Sequence, residues 1–256
     1  MIRQYSPHDI EKWAECSGDR NSVHFDKKIA LENGLKDIIV QGMLVLLDAK
    51  LMISPYILTD SSINFYLKSP ILVNSDIEFS VKESGSKGFL TVSELGNPSE
   101  PCITATMLPQ KTSNIKEDLT RFTFTPEFIK DSVDTHIDLL KINYPHIVDN
   151  WILMDTLLFC ICFNLRKDDY FRRQAEKIGD HAGSIATYHV AHNIFVSERL
   201  LTQDEIDFSS FSYSFEEKDI YINDDSAYST FIINANEGEN IIYQSSIGCM
   251  TKAFTV

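Results

Sequence analysis

Two side chains near the N-terminus could carry out acid–base chemistry together. Asp19 and His24 lie close in the sequence, separated by four residues. Their neighbours Gly18, Asn21 and Ser22 are types that favour turns, so the carboxylate and the imidazole could face one cleft. A carboxylate beside an imidazole can hold a water molecule and exchange protons with it at neutral pH. The pair therefore suits the addition of water to a substrate, or its removal.

A glycine further along the chain supplies a third candidate group. Gly42 stands at the predicted start of an apolar helix, where its backbone N–H is unobstructed and the helix dipole is positive. Such a donor can stabilise a thioester oxygen that becomes enolate-like when the neighbouring carbon loses its proton, an effect of about 3–4 kcal/mol. We therefore predict an active centre that contains Asp19, His24 and Gly42.

The helices that position these residues are predicted from capping residues and apolar runs. Asp26 can cap a short helix over residues 27–32, and Asn33-Gly34 supply a left-handed exit. An apolar helix follows from Gly42 to about Ile53. Because it is hydrophobic on most sides, we expect other structure to surround it.

Alternating apolar and polar residues then predict strands, and the same order recurs in the second half of the chain. In the first half the strands lie near 62–68, 76–82, 89–95 and 102–109, and we expect an antiparallel meander. A second apolar helix is predicted at about 147–163, followed by alternating runs to the C-terminus. We therefore predict two copies of one unit, a buried helix with strands curled around it, over residues 1–118 and 119–256.

The residues around the candidate pair resemble the motif of the MaoC-like, (R)-specific enoyl-CoA hydratase family. That motif has an apolar or aromatic position, then S/T-G-D-x-N-P-(apolar)-H, a small residue, and an (apolar)-x-G-M element. The matching positions are Trp13-Ala14, Ser17-Gly18-Asp19, Asn21, Val23-His24, Ala30 and Gly42-Met43. The sequence departs from the family at Ser22, where the motif has proline, and at Lys50, where family hydratases often have serine.

The resemblance implies an α+β double hot-dog fold, in which two antiparallel sheets each wrap around a central apolar helix. It also implies a hydro-lyase that reversibly hydrates a trans-2-enoyl thioester to the (3R)-hydroxyacyl form, in fatty acid or polyketide metabolism. Asp19 and His24 would then be the catalytic pair. Gly42 would donate its N–H to the oxyanion, and Asn21 would orient the loop or the water. The C-terminal half is expected to be non-catalytic and to form part of an acyl-chain tunnel.

Composition and charge limit the partners of the protein. A formal net charge of -14 disfavours a nucleic-acid backbone as ligand. The apolar runs are too short to span a bilayer, and the chain opens without a basic-then-apolar leader. Together with an odd number of cysteines, five, this predicts a cytoplasmic protein with free thiols. The expected partner is an acyl-CoA or an acyl carrier protein; no metal or other cofactor is expected, and a homodimer is one possible assembly.

Two other functions are compatible with this sequence. A hot-dog acyl thioesterase would share the scaffold but would place water to attack the thioester carbonyl. A non-catalytic acyl-thioester binding subunit is suggested by Lys50 and by the missing motif in the second half. Release of free thiol would identify the first alternative, and tight binding without turnover would identify the second.

Asp155 lies within an apolar run of the second predicted helix, where an unpaired carboxylate would be costly to bury. Its surroundings, Leu-Met-Asp-Thr-Leu-Leu, are similar to a helix of polyketide dehydratases in which an aspartate works with a histidine from the first half. The matching His-x-x-x-Gly-x-x-x-x-Pro element is missing from this first half. We therefore predict that Asp155 is paired or caps a helix.

Further polar residues of the second half are predicted to be structural. His181, His189 and His192 lack the spacing of the N-terminal pair, which favours structural or surface roles. Cys160 and Cys162 have no matching second pair of ligands, so buried thiols are favoured over a zinc site.

Overall fold

Helices and antiparallel strands follow one another in two successive runs along the chain. The computed structural model describes residues 1–110, 122–123, 126–178, 184–203 and 205–254. The helices are α1 (Pro7–Ser17), α2 (Lys27–Glu32), α3 (Gly42–Ile53), α4 (Pro126–Asn143), α5 (Asn150–Lys177) and α6 (Glu198–Thr202). The strands are β1 (Ile2–Gln4), β2 (Ser61–Leu67), β3 (Asp76–Ser84), β4 (Lys87–Glu94), β5 (Ile103–Pro109), β6 (Phe122–Thr123), β7 (Ser184–Val196), β8 (Ser212–Ile222), β9 (Ser226–Glu237) and β10 (Asn240–Phe254).

The helices of the first half follow the local signals in the sequence. Asp26 caps α2 by accepting hydrogen bonds from the backbone N–H groups of Lys28 and Ile29. Gly34 has a φ of 75°, which provides the predicted left-handed exit. Helix α3 has the predicted bounds, and most of its residues are buried because it is apolar around its whole circumference.

The described strands form one antiparallel sheet in the order β1-β3-β4-β5-β2-β7-β10-β9-β8-β6. The five strands of the first half lie on one side of the sheet and the five described strands of the second half lie on the other. Counted outward from the centre, the two halves have the same strand order. In each half the strand that follows the buried helix pairs with the last strand of that half, not with the next one. The prediction of a simple meander is therefore wrong for β2, because β2 lies beside β5 while β3, β4 and β5 are successive neighbours.

Strands β2 and β7 join the two halves at the centre of the sheet. Their pairing runs from Ser61 opposite Val196 to Tyr66 opposite Ala191. Beyond that point β7 continues to Ser184 without β2. Each half thus consists of a buried helix, α3 or α5, and its own strands, which is the predicted α+β double hot-dog fold. The predicted boundary at residue 118 lies outside the described residues and stays a prediction.

A charged cluster lies in the core where α3 and α5 meet. Lys50 of α3 forms an ion pair with Asp155 of α5, and both are buried, with exposed fractions of 0% and 1%. The same carboxylate accepts hydrogen bonds from Nε2 of His192, at 2.7 Å, and from the hydroxyl of Tyr243. Burial disfavours the carboxylate anion, but His192 and Lys50 outweigh it and hold the pKa of Asp155 below its usual value. Asp155 is therefore paired, as predicted, and Lys50 has a partner.

The second buried helix is longer than its apolar run. Helix α5 begins at Asn150 and extends to Lys177, beyond the predicted end near residue 163. Cys160 and Cys162 are buried in this helix and take part in no disulfide among the described residues, as predicted. Within the described part of the chain, no helix has the length and apolar character needed to cross a membrane.

Candidate active site

The C-terminal end of α1 fixes the position of Asp19. Gly18 ends the helix with a φ of 71°, and its N–H donates to the carbonyl oxygen of Ala14 at 2.9 Å. The buried hydroxyl of Ser17 donates to the carbonyl oxygen of Trp13 at 2.8 Å. That hydroxyl also accepts from the N–H of Asp19 at 3.1 Å. The backbone of Asp19 is therefore held in place by the last residue of α1, Ser17.

His24 lies in a short 3-10 turn, and its ring is oriented by a backbone carbonyl. Its Nδ1 lies 2.8 Å from the carbonyl oxygen of Ile39. Because a carbonyl only accepts, Nδ1 carries the hydrogen and the neutral ring keeps its lone pair on Nε2. Nε2 lies 3.8 Å from Oδ2 of Asp19, and both side chains are largely buried. That separation is too long for a direct hydrogen bond but suits a water molecule or a substrate group shared by both atoms.

Asn21 connects this loop to the second half of the chain. Its side-chain Nδ2 donates to the carbonyl oxygen of Thr187 in β7 at 3.4 Å. Its backbone N–H donates to Oδ1 of Asp19 at 3.4 Å. Asn21 thus contacts the carboxylate of Asp19 through its backbone and strand β7 of the second half through its side chain.

Gly42 begins α3 at the same end of the cleft. The preceding residue, Gln41, is buried, and its side-chain amide donates to the carbonyl oxygens of Ile10, at 3.1 Å, and Asp19, at 3.5 Å. A Cβ at Gly42 would lie 2.7 Å from Cδ2 of Leu67 and 3.4 Å from Nδ1 of His189. The first N–H groups of a helix have no partner within it, and glycine leaves this one accessible.

These residues line one end of a cavity of about 600 Å³. Asp19, Asn21, His24 and Gly42 all contribute to its wall, so the fold brings the predicted site residues together. Aromatic and aliphatic side chains of the second half form much of the apolar wall, among them Phe159, Phe163, Phe215, Phe231 and Ile247. The cavity wall is therefore polar where Asp19, Asn21 and His24 lie and apolar where the second half contributes these side chains.

His189 also lines this cavity, which sequence reasoning missed. Its Nε2 lies 2.9 Å from the carbonyl oxygen of Ala191, and its Nδ1 is buried without a hydrogen-bond partner among the described residues. Burial, with added repulsion from His192 and Lys50, lowers the pKa of His189 to about 3, so the ring is neutral. No local motif marks this residue, because it meets Gly42 only through the fold.

The other histidines of the second half have different positions. His192 belongs to the buried cluster with Asp155, which is the predicted structural role, and its ring centroid lies 5.4 Å from that of His189. His181 lies outside the described residues. Among the described residues, no group of three or more His, Cys, Asp and Glu side chains is arranged to hold a metal ion.

The fold and the cavity define a double hot-dog protein in which Asp19 and His24 line one cavity together with Gly42, the first residue of a buried helix. Residues 2–95, which include Asp19, His24 and Gly42, match the family model described as MaoC like domain. The resemblance to the MaoC-like family is therefore confirmed over this part of the chain. The match supports acyl-thioester chemistry at the level of the family. No curated protein matches the sequence.

Solved structures resemble the chain in fold at low sequence identity. The tesB protein of Mycobacterium avium subsp. paratuberculosis is 10% identical, with a TM-score of 0.50, over 85% of this chain and 88% of that one. A protein of Mycobacterium tuberculosis described as a double hotdog fold is 10% identical, with a TM-score of 0.48, over 98% and 94%. The dehydratase domain of PpsC from the same organism, solved with C12:1-CoA, is 8% identical, with a TM-score of 0.45, over 83% and 84%.

Proposed function

We propose that the protein is a hydro-lyase that reversibly adds water to a trans-2-enoyl thioester, giving the 3-hydroxyacyl thioester. The observation that carries this proposal is the lone pair on Nε2 of His24, which faces the Asp19 carboxylate at the polar end of an apolar cavity. The (3R) configuration of the product is inferred from the family. The acyl group would lie along the apolar wall, and the carrier would be CoA or the phosphopantetheine of an acyl carrier protein.

The proposed hydration starts from a water molecule between His24 and Asp19. Nε2 of His24 accepts a proton from this water as the water oxygen bonds to C3 of the substrate. The electrons of the C2–C3 double bond move toward the thioester oxygen, where the N–H of Gly42 stabilises the enolate. The protonated imidazole then returns the proton to C2. Asp19 accepts a hydrogen bond from the water and stabilises the transient positive charge on His24.

The contacts of Asn21 suggest how the second half supports this chemistry. Its side chain holds the loop against β7 through Thr187, and its N–H contacts the carboxylate of Asp19. We propose that Asn21 orients the carboxylate, as the family motif implies. No metal or redox cofactor takes part in the proposed reaction. A cytoplasmic location and a homodimer remain predictions.

The test is a hydratase assay with crotonyl-CoA and a longer enoyl-CoA, followed by the loss of enoyl absorbance. Asp19→Asn and His24→Ala should each lower kcat by about 10²–10⁴-fold, the usual contribution of a positioned acid or base. Asp37→Asn and His8→Ala, at a half-buried and an exposed position, are the matched controls and should keep wild-type rates. Turnover that persists in both site variants would refute the mechanism.

The same assay separates the alternative functions. Release of free thiol from a saturated acyl-CoA would indicate a thioesterase, and tight acyl-CoA binding without any turnover would indicate a binding subunit. Activity on carrier-protein thioesters, together with inactivity on every CoA form, would indicate a dehydratase that works on carrier-bound chains.

A further inference from the structure

His189 lines the cavity and carries a hydrogen-bond acceptor that the proposed reaction does not use. Its Nε2–H donates to the carbonyl oxygen of Ala191, so the lone pair of the ring lies on Nδ1. That atom is buried, and no described residue donates a hydrogen bond to it. A buried acceptor without a partner is unfavourable, so a ligand that brings a donor to this point would be bound preferentially.

The position of this acceptor relates it to the reacting thioester. A Cβ on Gly42 would lie 3.4 Å from Nδ1 of His189, so the acceptor is adjacent to the N–H proposed to hold the thioester oxygen. His189 lies on the part of β7 beyond Tyr66 and Ala191, where the pairing with β2 has ended. Lys68, which lines the same cavity, is exposed to solvent. His189 therefore lies beside the proposed thioester site, on a stretch of β7 that does not pair with β2.

The chemistry of an acyl thioester indicates what occupies this position. The thioester oxygen and sulfur and the enoyl carbons offer no hydrogen-bond donor. The next polar group toward the carrier is an amide, separated from the sulfur by two methylene groups, and its N–H is a donor. We propose that Nδ1 of His189 accepts a hydrogen bond from this first amide N–H of the phosphopantetheine arm.

This assignment rests on the proposed function in taking an acyl thioester as the ligand and in placing its oxygen at the N–H of Gly42. Burial keeps the imidazole of His189 uncharged near neutral pH, so Nδ1 stays an acceptor throughout the working range. The interaction gives the second half a specific task, because β7 recognises the carrier arm while the first half supplies the proposed acid–base pair. It also favours ligands that carry the amide, whether the arm belongs to CoA or to a carrier protein.

The experiment compares two ligands that differ only at this amide. Butyryl-CoA and an analogue whose first amide is replaced by an ester are titrated into the intact protein by calorimetry. The wild type should bind the amide about fivefold more tightly, the factor expected for one neutral hydrogen bond. His189→Leu should bind both ligands equally. His189→Asn, whose side-chain oxygen can take the place of Nδ1, should keep the preference.

Equal binding of both ligands by the wild type would overturn the proposal, and so would a preference that survives in His189→Leu. If the leucine variant does not fold, His189→Gln replaces it, because its amide reaches the Nε2 position and leaves the Nδ1 position empty. Butyryl thioesters have no double bond to hydrate, so the result is independent of hydratase activity. A protein with the amide preference but no crotonyl-CoA turnover would refute the proposed function alone.

Discussion

Removal of the Lys50 ammonium group should leave a buried carboxylate without its cation. Lys50→Met keeps much of the side-chain length but leaves Asp155 with only the donors of His192 and Tyr243. Both charged residues are almost fully buried, so water screens the pair little. Breaking such a pair from one side costs about 3–5 kcal/mol. This is a large share of the roughly 5–15 kcal/mol that stabilises a typical protein.

Guanidinium unfolding at pH 7 measures the loss of unfolding free energy. The fluorescence of the buried Trp13 and Trp151 follows the unfolding of the first and the second half. The double variant Lys50→Met/Asp155→Asn removes both charges and keeps an oxygen that can accept hydrogen bonds in place of the carboxylate. It should be more stable than Lys50→Met by about 1–2 kcal/mol, because residues in contact are coupled.

The matched control removes a lysine from an exposed ion pair. Nζ of Lys27 lies 2.7 Å from Oδ2 of Asp37 at the surface. Because water screens such pairs, Lys27→Met should hardly change the guanidinium concentration at the unfolding midpoint. A Lys50→Met loss no larger than that of Lys27→Met would refute the assignment of a stabilising buried pair. If the double variant loses as much unfolding free energy as Lys50→Met and Asp155→Asn lose together, the two charges do not depend on each other.

Three further predictions concern the site and the pH dependence of stability. Gly42→Ala should lower kcat/KM for crotonyl-CoA by about 100-fold, because the added methyl would lie 2.7 Å from Cδ2 of Leu67 and force a shift in the cavity wall; unchanged kinetics would contradict this. Gly85→Ala should lose about 1–2 kcal/mol in guanidinium unfolding because its φ is positive, and Gly18→Ala should lose more, because its Cβ would also lie 2.0 Å from Oδ1 of Asn164. Only Gly18→Ala should also slow turnover, and equal rates in both variants would contradict a role of Gly18 in placing the loop. His189 and His192 have lowered pKa values, so below about pH 6.5 the unfolded state binds more protons. Above that pH the unfolding free energy is unaffected by these two groups, and on acidification it should fall by up to about 1.4 kcal/mol per pH unit for each group. An unfolding free energy that stays constant from pH 7 to 5 would contradict this.

Local signals explain why the first half of the chain could be predicted closely. The cap at Asp26, the glycine exit at Gly34 and the bounds of α3 depend on residues a few positions apart. The convergence of Asp19 and His24 on one cavity was predicted from a turn of a few residues. Each of these features depends mainly on residues that are close together in the sequence.

Strand order could not be predicted in the same way. The alternation of Ile63 and Phe65 with polar residues shows which face of β2 is buried but not which strand lies beside it. Strand β2 pairs with β7 as well as β5, and that arrangement depends on the second half. The end of α5 was missed for a related reason. Its apolar run stops near residue 163, but the following Leu, Arg, Lys, Gln and Ala residues are good helix formers.

Long-range contacts also determine the two features that sequence reasoning identified least well. Lys50 and Asp155 each stood out as a charge in an apolar helix, but only the packing of α3 on α5 makes them partners. His189 carries no motif, and its relation to Gly42 arises where β2 ends and β7 continues. A histidine spacing rule tests only neighbours in sequence, so it could not detect this contact.

The two halves that pair along β2 and β7 are not equivalent, as two identical subunits would be. Two identical subunits joined along such strands would be related by a twofold axis and would carry two identical clefts. Here residues 18–41 connect α1 to α3 and carry the proposed acid–base pair, whereas only residues 144–149 connect α4 to α5. The proposed ligand, an acyl thioester, has two unlike ends, and the cavity has two unlike walls. Because both walls belong to one polypeptide, each can diverge for its own end of the ligand, and their association does not weaken on dilution.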